Sequence, residues 1–181
     1  MKILSDFYSH IKQDKVIEEV ILVNESDEQL GTMEKLEAHK KGVLHRAFSI
    51  FIFNSRKEML LQQRAFTKYH SAGLWTNTCC SHPRPGENTI AAAKRRLKEE
   101  MGMETALQHK THFIYKTHFE NGLTEHELDH VFTGHSDKEP DPNPEEVNTF
   151  RWLQLDKIKA EMKLKPEEFT SWFRIAMEKL F

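Results

Sequence analysis

The sequence predicts an α/β (α+β) protein, because segments typical of strands are interleaved with segments typical of helices. His45–Asn54 (HRAFSIFIFN) is the most apolar run and indicates a buried strand, whereas Thr89–Met101 carries the signals of a capped helix. Hydrophobic residues make up 38% and charged residues 30% of the 181 positions, which suits the core of one soluble domain. A single domain over residues 1–181 is therefore expected.

The first half of the chain is predicted to be mainly strand. Val16–Asn24 is rich in β-branched residues and is typical of a strand. After His45–Asn54, the polar turn Asn54–Glu58 leads into Met59–Arg64, so these two strands should form a hairpin. Leu74–His82 follows as a short strand that enters a Pro-Arg-Pro-Gly turn.

The predicted helix from Thr89 to about Met101 has a start signal and a stop signal. Asn88 can accept hydrogen bonds from the first free backbone N–H groups, and Gly102 can end the helix in a left-handed conformation. Alternating segments predict three further strands, and a proline-rich loop and two helices complete the chain. The strands are His112–Phe119, Glu125–Thr133 and Thr149–Leu155, and the helices are Asp156–Lys163 and Pro166–Leu180.

Charge and cysteine content restrict the class of protein. Lys and Arg number 26 against 28 Asp and Glu, so the net charge of −2 argues against a dedicated nucleic-acid or anionic-membrane surface. Met1–His10 lacks the apolar region of a signal peptide, and no segment has the ~20 apolar residues of a membrane span. Cys79 and Cys80 are neighbours and should be free thiols. We expect a cytoplasmic protein, monomeric or a weak homodimer.

The helix around residue 95 carries a motif that resembles the Nudix box. The positions that carry the resemblance are Ser81, Glu87, Arg95, Arg96, Leu97, Glu99, Glu100 and Gly102. Ser81 stands where the box has Gly, and Arg96 stands where it has a metal-binding Glu. On composition alone, Arg96 would form an exposed ion pair with Glu100 one turn away. With the motif, the guanidinium indicates a diphosphate ligand in place of a metal ligand.

Three segments together resemble a narrower family, the type I isopentenyl diphosphate isomerases of the Nudix superfamily. They are HRAFSIFIFN (His45–Asn54), LWTNTCCSHPRPGE (Leu74–Glu87) and EHELDHVF (Glu125–Phe132). The likeness runs from about Val16 to Trp172, so residues 1–15 are an extension outside it. It implies a Nudix-like mixed sheet sandwiched between helices.

The resemblance also implies two metal sites. Five positions match the family's metal ligands: His39, His45, His82, Glu125 and Glu127. Such a set suits six-coordinate Mn²⁺ or Mg²⁺ better than a closed zinc site, with Zn²⁺ still possible. Glu100 would help to hold a separate Mg²⁺ that arrives with the substrate diphosphate. Taken singly, each His could be a packing residue, and Glu125, Glu127 and Asp129 could form a solvated acidic face of one strand.

Further matches imply the substrate contacts and the reacting groups. The family's diphosphate-binding positions correspond to Lys35, Arg64, Lys68 and Arg96, although each could be a solvated surface charge. Trp172 matches a Trp whose π face lies near a carbocation. Cys80 matches the catalytic thiol, and Tyr115 matches the Tyr that hydrogen-bonds the catalytic Glu127, while Cys79 should be inert. A free thiol has a pKa near ~8.5, which an electropositive site could lower.

These expectations favour isomerisation of isopentenyl to dimethylallyl diphosphate by protonation and deprotonation, in isoprenoid biosynthesis. The sequence does not decide which of Cys80 and Glu127 is the acid in the forward direction. Two other functions stay open: a Nudix hydrolase of a nucleoside diphosphate derivative, which Arg96 disfavours, and an inactive diphosphate-binding module. A binding module would not need Cys80, Tyr115 and Glu127 together.

Overall fold

A computed structural model describes residues 18–181, in which a nine-stranded mixed sheet lies between helices. The strands are β1 (Glu19–Val23), β2 (Gln29–Glu34), β3 (His45–Phe53), β4 (Glu58–Arg64), β5 (Trp75–Thr76), β6 (Cys79–Ser81), β7 (Leu107–His118), β8 (Thr124–His135) and β9 (Val147–Gln154). The helices are α1 (Lys35–Lys41), α2 (Thr89–Met101), α3 (Leu155–Leu164) and α4 (Ser171–Leu180). The predicted fold class and the sandwich arrangement are confirmed.

Strand β3 is the centre of the sheet. It pairs with β8 in parallel along its whole length, and antiparallel with β1, β4 and β6. The predicted hairpin of β3 and β4 is reduced to one pair, Phe53↔Met59, because β4 diverges to pair with β5 and β9. A buried strand with neighbours on both edges explains why Ala47–Phe53 is apolar at every position except Ser49.

The core consists of two main layers, one on each face of the sheet. Residues of α2, among them Leu97 and Met101, pack on one face against Ile50. Residues of α3 and α4, among them Phe173, pack on the other face against Phe51. Successive side chains of β3 therefore pack alternately into the two layers.

Helix α2 begins and ends where the sequence predicts. The Asn88 side chain accepts hydrogen bonds from the N–H groups of Ile90 and Ala91, at 3.1 and 3.3 Å. Gly102 has φ +63°, and an added Cβ would lie 2.4 Å from the carbonyl oxygen of Asp141. Only glycine meets both requirements at this position.

Several predicted elements differ in extent. Val16 and Ile17 of the first predicted strand lie outside the described residues, β7 starts at Leu107, five positions early, and Leu74–His82 is two short strands. Strand β2 and helix α1 have no counterpart among the predicted elements. Helix α1 is capped by Glu34, whose carboxylate accepts from the N–H groups of Leu36 and Glu37.

The predicted helix Pro166–Leu180 is wrong as one unit. A 3₁₀ turn, Pro166–Glu168, precedes α4, and Phe169 and Thr170 between them are extended. The N–H of Thr170 donates to the carbonyl of Trp75 at 3.0 Å, and the hydroxyls of Thr170 and Thr76 are 3.0 Å apart. These tertiary hydrogen bonds replace the helical ones and interrupt the helix. None of the described helices combines the length and the apolar character that crossing a bilayer requires.

Candidate active site

A cleft of about 690 Å³ opens on the sheet, and every predicted site residue except His45 lines it. His45 is fully buried directly beneath, because it is the first residue of β3. Residues that are distant in the sequence meet here because β3, β6 and β8 are adjacent in the sheet. The residues that line or underlie the cleft form two groups. We call His39, His45, His82, Glu125 and Glu127 the histidine end, and Lys35, Arg64, Lys68 and Arg96 the cationic end.

The histidine end brings four side chains within metal-binding range. Possible ligand atoms of His39, His45, His82 and Glu127 all lie within 4.8 Å of one another. His45 and Glu127 are neighbours in the parallel register of β3 and β8, with 3.6 Å between His45 Nε2 and Glu127 Oε1. His82 Nε2 lies 3.0 Å from the same oxygen.

The donor atoms of this group fit a divalent cation. His45 Nδ1 lies 2.8 Å from the carbonyl oxygen of Val43, so Nδ1 carries the hydrogen and Nε2 keeps its lone pair. Buried ring nitrogens of His39, His45 and His82 have no hydrogen-bond partner. Leaving buried polar atoms unpaired is costly, and a bound cation would satisfy one nitrogen of each ring that ligates it.

Burial controls the ionisation of these groups. Burial, with help from His82 and His45, lowers the pKa of His39 to about 3, so its imidazole is neutral and free to act as a ligand. Burial tends to raise the pKa of Glu127, but the proximity of His45 and the hydrogen bond with His82 outweigh it and hold that pKa well below its usual range. Glu127 is therefore the ionised carboxyl at this end.

Glu125 lies beside the four-residue group, outside its 4.8 Å range. Tyr115 donates to Glu127 Oε2 at 2.6 Å and lies 3.2 Å from Glu125 Oε2. Burial and the charge of Glu127 raise the pKa of Glu125 well above its usual range. Glu125, Glu127 and Asp129 are only 5%, 7% and 2% exposed, so the alternative of a solvated acidic face is wrong.

The two cysteines point to opposite faces of the sheet. Cys79 is fully buried in the layer under α2, whereas Cys80 is partly buried and lines the cleft. Both are free thiols. Burial raises the pKa of the Cys80 thiol, and the nearby Arg64 offsets this only in part. The expected lowering of this pKa is therefore wrong, and Cys80 is a protonated thiol.

The cationic end carries Lys35, Arg64, Lys68 and Arg96. Arg96 Nη2 lies 2.7 Å from Glu100 Oε1 and 3.1 Å from Glu146 Oε1, and Lys68 also pairs with Glu146. The ion pair between Arg96 and Glu100 thus forms, but Glu100 is only 6% exposed and faces the cleft. Gln62 donates to its other oxygen at 3.0 Å.

Trp172 of α4 closes one wall of the cleft and is 4% exposed. The Arg64 guanidinium carbon lies 5.3 Å from the centre of its ring, within cation–π range. The cleft also contains three charged or titratable residues that sequence reasoning missed, Glu146, His70 and Tyr69. Their loops carry no motif, and only the pairing of Glu146 with two predicted cations would have revealed it.

Comparison with known proteins gives the family. Residues 43–173 match the NUDIX domain family. A protein of Pectobacterium atrosepticum named isopentenyl-diphosphate Delta-isomerase is 52% identical over 162 residues, which cover 90% of each chain. A protein of the same name from Serratia proteamaculans is 50% identical and covers 90% of this chain and 91% of its own.

The chain belongs to the isopentenyl-diphosphate Delta-isomerase family.

Solved structures place this isomerase family on the wider Nudix fold. A crystal structure of a Deinococcus radiodurans protein matches with a TM-score of 0.68 at 19% identity, covering 81% of this chain and 90% of that chain. A MutT protein from Methanosarcina mazei matches with a TM-score of 0.59 at 22% identity, covering 75% of this chain and 91% of that chain. At these identities the likeness shows the fold alone. Arg96, where the Nudix box has Glu, separates this isomerase-family chain from the hydrolase motif.

Proposed function

We propose that the protein interconverts isopentenyl diphosphate and dimethylallyl diphosphate by adding a proton at one carbon and removing one from another. One observation carries the proposal: a single cleft holds the Cys80 thiol and the Tyr115-bound Glu127 carboxylate beside a cluster of cations. Membership of the isomerase family supports the same reaction. An inactive diphosphate-binding module would have no use for the thiol and the carboxylate.

The cationic end would bind the diphosphate. Arginine forms bidentate, charge-assisted hydrogen bonds with phosphate oxygens, and Arg64 and Arg96 both face the cleft with Lys35 and Lys68. Binding energy from this end would position the C5 tail, which has no polar group of its own. When the diphosphate binds, Glu146 would either lose its contacts with Arg96 and Lys68 or keep them and orient these two side chains.

The proton transfers are assigned to Cys80 and Glu127, acting on the substrate from two sides. An alkene is a very weak base, so protonation needs a site that excludes water and shields the cation. Tyr115 would orient the Glu127 carboxyl through their hydrogen bond, and the Trp172 ring would face the developing positive charge.

Two cation sites are proposed in the cleft. His39, His45, His82 and Glu127, with Glu125 beside them, would hold one Mn²⁺ or Mg²⁺, with Zn²⁺ as the third candidate. Glu100 would contribute to a separate Mg²⁺ that enters with the diphosphate. When bound, the first ion supplies positive charge that orients and tunes the Glu127 carboxyl.

The two free thiols suit a reducing compartment, so a cytoplasmic location is part of the proposal. The proposed partner is the small diphosphate substrate. A role without nucleic acid or membrane, and a monomer or weak homodimer, stay predictions from the sequence.

The reaction is tested by incubating the protein with isopentenyl diphosphate in D₂O, and separately with nucleoside diphosphate derivatives. Protonation by a solvent-exchanged group should place deuterium in the methyl group of dimethylallyl diphosphate. Product without deuterium would exclude this mechanism. Release of phosphate or a nucleoside monophosphate, without isomerisation, would instead establish a Nudix hydrolase.

A further inference from the structure

A second cluster of histidines lies on strands β7 and β8, outside the cleft. His109, His112 and His130 have ring nitrogens within 4.8 Å of one another, and none of the three lines the cleft. His112 and His130 are direct cross-strand partners, with ring centres 5.6 Å apart. His109 and His112 are exposed, so an ion from solvent can reach them.

A β-bulge brings His109 and His112 to the same side of the sheet. Residues three apart in a regular strand point to opposite faces, but the register of β7 shifts between His109 and Thr111. The additional residue, Lys110, places its ammonium 5.7 Å from the ring of Phe181 in the opposite layer. The bulge therefore directs both imidazoles towards His130 and directs the lysine charge away from them.

The ring of His130 is held by a carboxylate. Its Nε2 lies 3.0 Å from Oδ2 of Asp27, whose Oδ1 accepts from Arg46 Nε at 2.6 Å. Since a carboxylate only accepts, Nε2 carries the hydrogen and Nδ1 keeps its lone pair. A carboxylate that binds the far nitrogen is the usual support of a metal-ligating histidine.

One pair of nitrogens has the spacing of two ligands of a tetrahedral ion, and the other pairs lie within 4.8 Å. With Zn–N bonds of about 2.0–2.1 Å, two ligands of a tetrahedral site lie about 3.3–3.4 Å apart. His130 Nδ1 and His109 Nε2 are 3.3 Å apart. Three imidazoles without a carboxylate ligand suit Zn²⁺ or a similar transition metal, whereas Mg²⁺ requires oxygen.

We propose that His109, His112 and His130 form a second metal site that binds a divalent transition-metal ion of the Zn²⁺ class, with a water as the fourth ligand. The ion would join β7 to β8. Through Asp27, which lies in the turn between β1 and β2, it would also fix that turn against the sheet. The site does not depend on the function proposed for the cleft.

The test is a calorimetric Zn²⁺ titration of metal-depleted protein. Because cleft residues can also bind Zn²⁺, the comparison is made in the His82→Ala background, with and without His112→Gln. We expect His112→Gln to abolish one equivalent of bound Zn²⁺ or to weaken it at least tenfold. His135→Ala, at the exposed end of β8, is the matched control and should change neither stoichiometry nor affinity.

Circular dichroism of each variant without metal verifies that the fold is retained. His130→Gln is a second variant, and it should lose the same equivalent of Zn²⁺. Two results would show that the second site does not exist. In one, adding His112→Gln to His82→Ala leaves Zn²⁺ binding unchanged. In the other, adding His135→Ala removes as much bound Zn²⁺ as His112→Gln does. Isomerase activity is not needed for any of these outcomes, so failure of the cleft function would be distinguishable.

Discussion

Tyr115 and Glu127 are opposite each other on β7 and β8, and the tyrosine hydroxyl donates to Glu127 Oε2 across 2.6 Å. His82 and His45 contact the other carboxylate oxygen. Both oxygens of Glu127 are thus hydrogen-bonded, one to the Tyr115 hydroxyl and one to His82. This division fixes the orientation of the carboxyl that we assign to proton transfer.

Tyr115→Phe should lower kcat about 10–100-fold with little change in KM, because Glu127 loses one of the contacts that orient it. The change removes one buried hydrogen bond, worth about 0.5–1.5 kcal/mol of stability, and keeps the ring packed. Steady-state kinetics and urea unfolding provide the two measurements. A kcat equal to that of the unmodified enzyme would show that this hydrogen bond has no part in the reaction.

The neighbouring cysteines supply an internal control. Cys80→Ser should abolish most turnover while substrate binding persists, because a serine hydroxyl is far less acidic than a thiol. Cys79→Ser should keep activity and lose about 1–3 kcal/mol of stability, since it buries a hydroxyl in the layer under α2. Isomerase assays and thermal unfolding of both variants test this. Inactivation by Cys79→Ser alone would reverse the assignment.

Arg96 and Arg95 form a matched pair on α2. Arg96→Gln should lower kcat/KM about 10–100-fold, because a charge-assisted hydrogen bond to the diphosphate is worth about 1.5–3 kcal/mol. Arg95 pairs with Glu87 and Glu99 and does not line the cleft, so Arg95→Gln should leave kcat/KM nearly unchanged. Equal effects of the two changes would mean that Arg96 is only a helix charge.

The effect of the two arginine substitutions on the free energy of unfolding has to be measured separately from their effect on activity. A fully exposed i,i+4 pair contributes only about 0.2–0.5 kcal/mol, but Arg96 contacts three carboxylates, of Glu99, Glu100 and Glu146. We therefore expect Arg96→Gln to be more destabilising than an exposed pair suggests. Urea unfolding measures the loss of stability. Kinetics measured only under conditions in which the variant is fully folded give the effect on kcat/KM separately.

His82→Ala should lower manganese content and activity together. The change removes a possible ligand and also a hydrogen bond to Glu127, so metal affinity should fall at least about tenfold. Elemental analysis after dialysis against Mn²⁺ gives the occupancy, and His135→Ala is the control. Full manganese occupancy in His82→Ala would show that this histidine is not a ligand.

Gly102→Ala should destabilise the protein by more than Gly86→Ala. Both glycines have positive φ, +63° and +77°, which costs an alanine about 1 kcal/mol. Only at Gly102 would the new Cβ meet the Asp141 carbonyl oxygen, at 2.4 Å, whereas nothing lies within 4 Å at Gly86. Equal losses of unfolding free energy would show that the backbone of residue 141 moves freely.

Local signals made helix α2 predictable, since Asn88 and Gly102 act on backbone groups only a few residues away. The strands β3 and β8 were likewise recognisable from their own apolar pattern. The family resemblance singled out Cys80 and Arg96, and both line the cleft. Adjacent residues of a strand point to opposite faces, so only one of the two neighbouring cysteines does.

The contacts between distant segments depended on the tertiary structure. His45 meets Glu127 because β3 and β8 pair in parallel, and no local pattern specifies that register. The hydrogen bonds of Thr170 to Trp75 and Thr76 interrupt the last helix, which its composition alone would have continued. The raised pKa of Cys80 follows from burial, and burial is a property of the packed protein that no single segment carries.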